Sequence, residues 1–164
     1  MNSRPVMIMA GGTGGHIFPA LAVARELSKL DVPVVWLGSV GGMETRIVPE
    51  HGIELETLAI KGLRGKSLKT LLIAPFKVSA AVLAALRVLR RHRPRSGLGM
   101  GGFAAGPGGV AAVLLGIPLY IHEQNSIPGM TNRWLARVSR KVMAGFDSVL
   151  PDAIFIGNPV REEI

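Results

Sequence analysis

With 164 residues, of which 48% are hydrophobic and 5% aromatic, the chain is long enough for one domain with a sizeable aliphatic core. It contains no cysteine, which excludes a disulfide framework and a thiolate metal site and fits a reducing cytoplasm. Its formal net charge of +8 predicts an anionic partner, namely phosphate groups, nucleic acid or an anionic membrane surface.

Apolar runs that suit strands alternate along the chain with segments of helical periodicity. The predicted strands lie near residues 5–10, 33–38, 53–58, 96–100, 118–122, 141–144 and 154–156. The predicted helices lie near residues 17–30, 42–51, 68–92, 107–115 and 127–138. This alternation is typical of a parallel sheet covered on both faces, so we predict an α/β fold, a Rossmann-like doubly wound parallel sheet of about seven strands.

The first predicted strand runs into a glycine-rich loop, Gly11-Gly12-Thr13-Gly14-Gly15-His16. Glycines at a strand-to-helix turn let backbone N–H groups approach a ligand, and the helix N-terminus that follows favours an anion. We expect a phosphate site here with the ionisable His16 beside it, and we expect Pro19 in the first helical turn. The alternative is a tight turn without a ligand. ATP hydrolysis is disfavoured because no Lys-Ser/Thr follows the glycines, and NAD binding because Ser39, not an acid, ends the second strand.

Two further loops follow predicted strands at the same edge of the sheet. The glycine-rich loop from Gly99 to Gly109 could hold a second phosphate or share a diphosphate with the first loop. Its alternative role is to let the next helix pack closely on the sheet. His122-Glu123-Gln124-Asn125 follows the fifth strand, and its side chains need partners from a ligand or from a buried structural network. The chain has no H-x-x-x-H or D-x-D spacing, so we expect no metal site.

Basic and apolar residues are interleaved in the segment from Lys61 to Arg95. A basic rim around exposed apolar side chains is typical of an interfacial membrane patch. The residues predicted to form this membrane patch are Lys69, Leu72, Ile73, Phe76 and Lys77. The alternative is that the apolar residues belong to the core and the charges form a solvated face. No nucleic acid partner is expected, because one Tyr and two Trp leave few rings to stack on bases.

Five motifs stand in a characteristic order along the chain. They are Gly11–His16, Gly62-Leu63-Arg64-Gly65-Lys66, Gly99–Phe103, His122–Asn125 and Gly157-Asn158-Pro159-Val160-Arg161. In this order they resemble the MurG family of bacterial glycosyltransferases, which add N-acetylglucosamine to the lipid-linked muramyl-pentapeptide precursor of peptidoglycan. The resemblance covers the chain from about Pro5 to Arg161 and implies one half of a GT-B fold, in which two Rossmann-like domains flank a cleft. One departure is the fourth strand, which Arg95 and Gly97 weaken.

The resemblance implies that residues 1–164 are an amino-terminal acceptor and membrane-associating domain, with the carboxy-terminal donor domain absent from this chain. The implied reaction is inverting transfer from UDP-N-acetylglucosamine to the C4 hydroxyl of undecaprenyl-diphosphate-linked N-acetylmuramyl-pentapeptide, which converts lipid I to lipid II. It implies no cofactor, an inactive isolated domain, and peripheral attachment to the cytoplasmic face of the inner membrane. The alternative is a nucleotide-binding Rossmann domain that is not a transferase.

The resemblance also assigns roles to individual residues. His16 is the implied catalytic general base, which a neutral imidazole suits near pH 7. Donor contacts are implied for Thr13, Gly14, Gly15, Asn125 and Arg161. Acceptor diphosphate contacts are implied for Gly11, Gly12, Gly101, Gly102, Gly106 and Glu123, of which Glu123 would alternatively orient His16 or the sugar.

Overall fold

The computed structural model describes residues 3–60 and 68–159, and the side chains of residues 68–73 are outside this description. Within these ranges strands and helices alternate. The strands are β1 (Val6–Ala10), β2 (Val34–Ser39), β3 (Glu54–Leu58), β4 (Ser96–Gly101), β5 (Leu119–Glu123), β6 (Lys141–Ala144) and β7 (Ile154–Phe155). The helices are α1 (Gly14–Lys29), α2 (Glu44–Glu50), α3 (Leu68–His92), α4 (Ala105–Leu114) and α5 (Met130–Leu135). The predicted order of elements is confirmed.

The strands form a parallel sheet in the order β3-β2-β1-β4-β5-β6-β7. The chain first moves outward from β1 to β3 and then crosses back to β4 on the other side of β1. The loops that follow β1 and β4 therefore diverge at a topological switch point, where doubly wound sheets bind their ligands. The predicted Rossmann-like fold is confirmed, and both glycine loops lie at this point.

The side chains of β1 alternate between two cores, one on each face of the sheet. Met7 and Met9 belong to the cluster covered by α3, α4 and α5, whereas Ile8 and Ala10 belong to the cluster covered by α1 and α2. All five residues of β1 are buried. A strand buried on both faces reads as a continuous apolar run, which is why Val6 to Ala10 was recognisable in the sequence.

The expected weakness of the fourth strand does not prevent its formation. Arg95 lies just before β4 and donates its N–H to the carbonyl of Pro5. Gly97 is buried within β4, and a Cβ there would lie 2.9 Å from the terminal methyl of Met9. The flexible Met9 side chain thus fills the space beside Gly97, so that the core remains packed without a side chain at this position.

Of the predicted helices only α3 agrees at both ends, and the differences are largest for α1 and α5. Helix α1 begins at Gly14, because extended Thr13 is its N-cap and the Thr13 carbonyl accepts hydrogen bonds from the N–H groups of His16 and Ile17. Pro19 therefore lies in the second turn, and its expected place in the first turn was wrong. Helix α5 is shorter than predicted at both ends, since it begins only after Gly129, its N-cap residue, and ends at Leu135. In the part of the chain that is described, no helix is long and apolar enough to cross a bilayer.

Candidate functional site

The first glycine loop holds the imidazole of His16 at the switch point. Nδ1 of His16 lies 3.3 Å from the carbonyl oxygen of Gly11 and 3.4 Å from Oγ1 of Thr13. A carbonyl oxygen only accepts hydrogen bonds, so Nδ1 must carry a proton for its bond to Gly11. In the neutral ring Nε2 is then the basic nitrogen, and the half-buried position of His16 leaves the ring partly accessible.

The second glycine loop packs directly against the first. Gly101 and Gly102 have φ values of +101° and +90°, a region that favours glycine. A Cβ on Gly101 would lie 2.7 Å from Nε2 of His16, and a Cβ on Gly102 would collide with the backbone of Gly11. Because neither residue carries a side chain, the two loops can meet, and the imidazole of His16 lies between them.

A buried carboxylate that the sequence analysis did not identify lies beneath the first loop. Glu44, at the start of α2, is fully buried, and its Oε2 accepts a hydrogen bond of 3.1 Å from the N–H of Gly12. Its Oε1 accepts bonds of 2.7 and 2.8 Å from the N–H and hydroxyl of Ser39. Burial alone would raise the pKa of Glu44, but the hydrogen bonds from Ser39, its own backbone and Gly12 outweigh burial and lower it.

The Gly12 N–H is therefore directed to Glu44. The first N–H groups of a helix lack intrahelical partners, and in α1 these belong to Gly14 and Gly15. With the positive end of the helix dipole, they are suited to an anion at the switch point. Because the Gly12 N–H already has a partner, the N–H groups expected to bind an anion are those at the start of α1.

The polar residues after β5 form a hydrogen-bonded network around Glu123. Its Oε1 accepts bonds of 2.9 Å from the backbone and side-chain amides of Asn125, and its Oε2 accepts bonds from Gly129 and Asn132 at 3.0 and 2.9 Å. Glu123 is 1% exposed. These four bonds support the structural alternative for Glu123, which the sequence could not distinguish from ligand contact. Asn125 is itself exposed, at the surface of this network.

His122 belongs to the same network and bonds to the segment after β7. Its Nε2 lies 3.0 Å from the carbonyl of Gly157, and its Nδ1 accepts a hydrogen bond of 3.0 Å from the amide of Gln124. Burial lowers the pKa of His122 despite the opposing effects of the Gly157 bond and the Glu123 charge. The neutral ring therefore ties the end of β5 to the segment after β7.

Of the remaining predicted site residues, the structure describes some and leaves the others outside the described part of the chain. Gly106 lies in the first turn of α4, where a Cβ would meet only Cγ2 of Thr131 at 3.6 Å. Arg161 lies outside the described residues, as do the side chains of Lys69, Leu72 and Ile73. For the predicted membrane patch, the structure shows Phe76 76% exposed on α3 with exposed Lys77 beside it.

Exposed apolar side chains also occur on α4 and α5, beyond the predicted patch. Val110, Val113 and Leu114 are exposed on α4, and α4 packs beside α3. On α5, Trp134 is exposed, and the guanidinium of Arg137 lies 4.7 Å from the centre of its ring. A cation over an aromatic face is a common surface arrangement. The exposed apolar surface on the side of the domain that carries α3, α4 and α5 therefore extends beyond the predicted membrane patch.

A cluster of metal-ligand type lies far from the glycine loops, at the end of α3. Among the residues that the structure describes, Glu54, Glu56 and His92 bring ligand atoms within 4.8 Å of one another. Arg91 forms an ion pair with Glu56, and His92 Nε2 lies 2.7 Å from the same carboxylate. Because Arg91 already compensates the charge of Glu56, we interpret the cluster as a tether between α3 and β3.

The tether predicts an acid-sensitive contribution to stability. Burial raises the pKa of Glu56, but the hydrogen bonds and charges of His92 and Arg91 lower it below its ordinary value of 4.5. Its stabilising effect is thus present above about pH 4.5 and lost as the pH falls through the folded-state pKa. We expect Glu56→Gln to lower the free energy of unfolding by about 1–2 kcal/mol at neutral pH, with a smaller difference at pH ~3. Urea denaturation at both pH values, with exposed Glu50→Gln as control, measures this. An equal loss at both pH values would contradict it.

Comparison with known proteins gives a consistent result. Residues 6–144 match the glycosyltransferase family 28 N-terminal domain. The chain is 60% identical over 161 residues to the UDP-N-acetylglucosamine–N-acetylmuramyl-(pentapeptide) pyrophosphoryl-undecaprenol N-acetylglucosamine transferase of Xylella fastidiosa, covering 98% of this chain and 44% of that protein. The enzyme of the same name from Xanthomonas campestris pv. campestris is also 60% identical, with 98% and 38% covered. The chain thus spans less than half the length of these relatives.

Solved structures agree with the sequence relatives. The crystal structure of Acinetobacter baumannii MurG matches with a TM-score of 0.84 and 40% identity, covering 98% of this chain and 47% of that one. The UDP-GlcNAc 2-epimerase of Methanocaldococcus jannaschii matches with a TM-score of 0.65 and 14% identity, covering 90% of this chain and 40% of that one. At such low identity the epimerase shares the fold alone.

Proposed function

Because the chain belongs to the family of glycosyltransferase family 28 N-terminal domains, we propose that it is the acceptor-binding half of an inverting N-acetylglucosaminyltransferase. The resemblance inferred from its five motifs is confirmed by the relatives. The proposed donor is UDP-N-acetylglucosamine, and the proposed acceptor is N-acetylmuramyl-pentapeptide linked through a diphosphate to undecaprenol. The donor domain would be a carboxy-terminal half outside these 164 residues. The observation that carries the proposal is the imidazole of His16, held between two glycine loops at the switch point.

The acceptor diphosphate is proposed to lie on the two glycine loops. Gly12 has open space beside its Cα, and Gly11, Gly101 and Gly102 let the two loops meet, so that backbone forms the surface offered to the diphosphate. Gly106 extends this surface along the first turn of α4. We assign Glu123 a positioning role, because both of its oxygens already accept hydrogen bonds. Its negative charge would also repel a diphosphate in direct contact with it.

The proposed chemistry follows from the free nitrogen of His16. Nε2 takes the proton of the muramyl C4 hydroxyl while that oxygen bonds to the anomeric carbon of the donor sugar. The bond from the anomeric carbon to the UDP oxygen breaks at the same time, and UDP leaves with the electron pair. Direct displacement inverts the anomeric centre without a covalent enzyme intermediate. A positioned general base contributes about 10²–10⁴-fold to such a step.

Donor contacts are proposed on the cleft side of the same loop. Thr13, Gly14 and Gly15 lie at the start of α1, where the helix dipole stabilises the charge that develops on the leaving UDP. Asn125 lies at the exposed rim of the network around Glu123. Arg161 is assigned to the donor phosphates as well, since a guanidinium pairs well with phosphate oxygens.

The membrane contact is proposed on α3. Its exposed Phe76 and Lys77 combine an apolar anchor with a positive charge, and Lys69, Leu72 and Ile73 precede them in the same helix. Attraction to anionic lipid is worth about 1 kcal/mol per basic residue near the surface. We propose that this patch holds the protein on the cytoplasmic face of the inner membrane, where the lipid-linked acceptor is reached. No nucleic acid partner is proposed.

A transfer assay tests the proposal. The protein at its natural full length is given radiolabelled UDP-N-acetylglucosamine and an acceptor analogue with a short, soluble lipid chain. We expect label in a disaccharide-diphosphate product with inverted anomeric configuration, together with release of UDP. The 164-residue chain alone is expected to bind the acceptor without turnover. Absence of labelled product with the full-length protein, or binding of NADH at the glycine loops, would favour a Rossmann domain that is not a transferase.

A further inference from the structure

We propose that Glu44 is a positioning residue that acts on His16 through the peptide group between Gly11 and Gly12, fixing the imidazole proton on Nδ1 and leaving Nε2 free. The proposal deepens the function described above, because it rests on His16 acting as the general base. It assigns a role in the reaction to a residue that touches neither substrate.

The connection consists of two hydrogen bonds that share one peptide group. The N–H of Gly12 donates to Oε2 of Glu44 at 3.1 Å. The carbonyl oxygen of the same peptide group, which belongs to Gly11, lies 3.3 Å from Nδ1 of His16. The buried carboxylate and the imidazole therefore lie at opposite ends of one amide dipole, although Glu44 and His16 make no direct bond.

The electrostatic consequence follows from the polarity of the amide. A carboxylate that accepts a hydrogen bond from the N–H group polarises the amide. This polarisation raises the electron density on the carbonyl oxygen. That oxygen then accepts more strongly from Nδ1–H of His16. Catalytic triads use a carboxylate in direct contact with Nδ1–H to hold a histidine in one tautomer and orientation. Here a peptide group stands between the carboxylate and the ring.

The surroundings of Glu44 hold this arrangement in place. Oε1 is fixed by the N–H and hydroxyl of Ser39. A Cβ on Gly11, Gly38 or Gly42 would collide with the Glu44 side chain, so these three glycines provide the space that the carboxylate fills. On its other side, the Gly11 backbone is in contact with Gly102. The peptide group is thus confined between Glu44 and the second loop.

A purely structural Glu44 would hold the loop in place, and the bond to the Gly11 carbonyl would keep the proton on Nδ1 of His16 with or without the Glu44 charge. The two roles are therefore distinguished by whether the proton moves to the other ring nitrogen when that charge is removed, and a proton on Nδ1 in the wild type is the first requirement. The wild-type protein at its natural full length, with ¹⁵N-labelled histidine, is studied by NMR at about pH 8.5, where an ordinary imidazole is neutral. We expect a protonated Nδ1 and a pyridine-type Nε2 for His16. A proton predominantly on Nε2 would overturn the proposal, and this test needs no variant to fold.

The variant test uses Glu44→Gln, which retains the shape of the side chain and removes its charge. We expect the His16 tautomers to shift toward Nε2–H and kcat to fall by about 10- to 100-fold, as for other groups that orient a functional histidine. The KM for UDP-N-acetylglucosamine is expected to stay within about twofold, since uniform binding is not altered. Glu56→Gln is the matched control, because it removes a carboxylate with several partners far from the loops. An unchanged tautomer and unchanged kcat in a folded Glu44→Gln protein would overturn the proposal.

The result separates this proposal from the assignment of His16 as the base. If His16→Ala leaves turnover intact while Nδ1 is protonated in the wild type, the base assignment fails and the link from Glu44 to the ring remains as a structural fact without a catalytic role. If His16→Ala abolishes turnover while Nε2 carries the proton, His16 remains essential, but Nε2 is not the basic nitrogen and the role of Glu44 is wrong.

Discussion

Replacing His16 by alanine in the protein at its natural full length is expected to lower kcat by about 10²–10⁴-fold. The imidazole is the titratable side chain that both glycine loops contact, with Nδ1 held by Gly11 and Nε2 beside Gly101. Without it, the C4 hydroxyl must lose its proton to water during attack. Affinity for UDP-N-acetylglucosamine is expected to change by less than about threefold, because the base acts in the transition state and does little for ground-state binding. Steady-state kinetics and equilibrium titration of the donor measure the two quantities.

The matched control is His51→Ala. His51 is exposed on the turn after α2, and its Nδ1 bonds to the carbonyl of Ile47. This change removes an imidazole without disturbing the glycine loops, so kcat should remain within about twofold of wild type. Retention of turnover within a few-fold in His16→Ala would show that another group, or water, accepts the proton.

Replacing Gly102 by alanine is expected to lower the free energy of unfolding by about 2–5 kcal/mol. Two costs combine at this position. The backbone has φ = +90°, which an L side chain rarely adopts, and the added Cβ would collide with the carbonyl of Gly11. Rigid backbone cannot yield as a flexible side chain would, so relief requires the two loops to separate. Chemical denaturation measures the loss, and the amide shifts of Gly11 and Gly12 report the separation.

Gly106→Ala is the control for this change. Gly106 lies in a helix, and its added Cβ would meet only Cγ2 of Thr131 at ordinary contact distance. Because alanine is favoured over glycine in a helix by up to ~1 kcal/mol, this variant should be as stable as wild type or more stable. Equal destabilisation by the two changes would contradict the close approach of the loops described for Gly102.

The fold was largely predictable because its signals are local. The buried run Val6 to Ala10 and the glycines that follow it mark a strand and a loop without reference to distant residues. The start of α1 was misplaced because glycine has low helix propensity, and Gly14 and Gly15 do not suggest a helix. The helix begins here because extended Thr13 is its N-cap, with a carbonyl that accepts from the N–H groups of His16 and Ile17.

The candidate site was only partly predictable, because some of its contacts join distant parts of the chain. Glu44 is 32 residues from Gly12, and an acid at the start of a helix normally indicates a solvated side chain that favours the dipole. Its burial depends on three glycines whose spacing has meaning only in the folded structure. For Glu123, hydrogen bonds from the amides of Gly129 and Asn132 support a structural role, and the sequence did not show that these donors would face it.

An NMR titration of the 164-residue chain with a soluble, short-chain analogue of the lipid-linked muramyl-pentapeptide tests the central claim most directly. UDP-N-acetylglucosamine and NADH serve as controls. We expect saturable shifts at Gly11–His16 and Gly101–Gly106 with the acceptor analogue, and smaller or no shifts at these amides with NADH. Silence of these amides with the acceptor analogue, together with shifts caused by NADH, would contradict an acceptor diphosphate site on the two glycine loops.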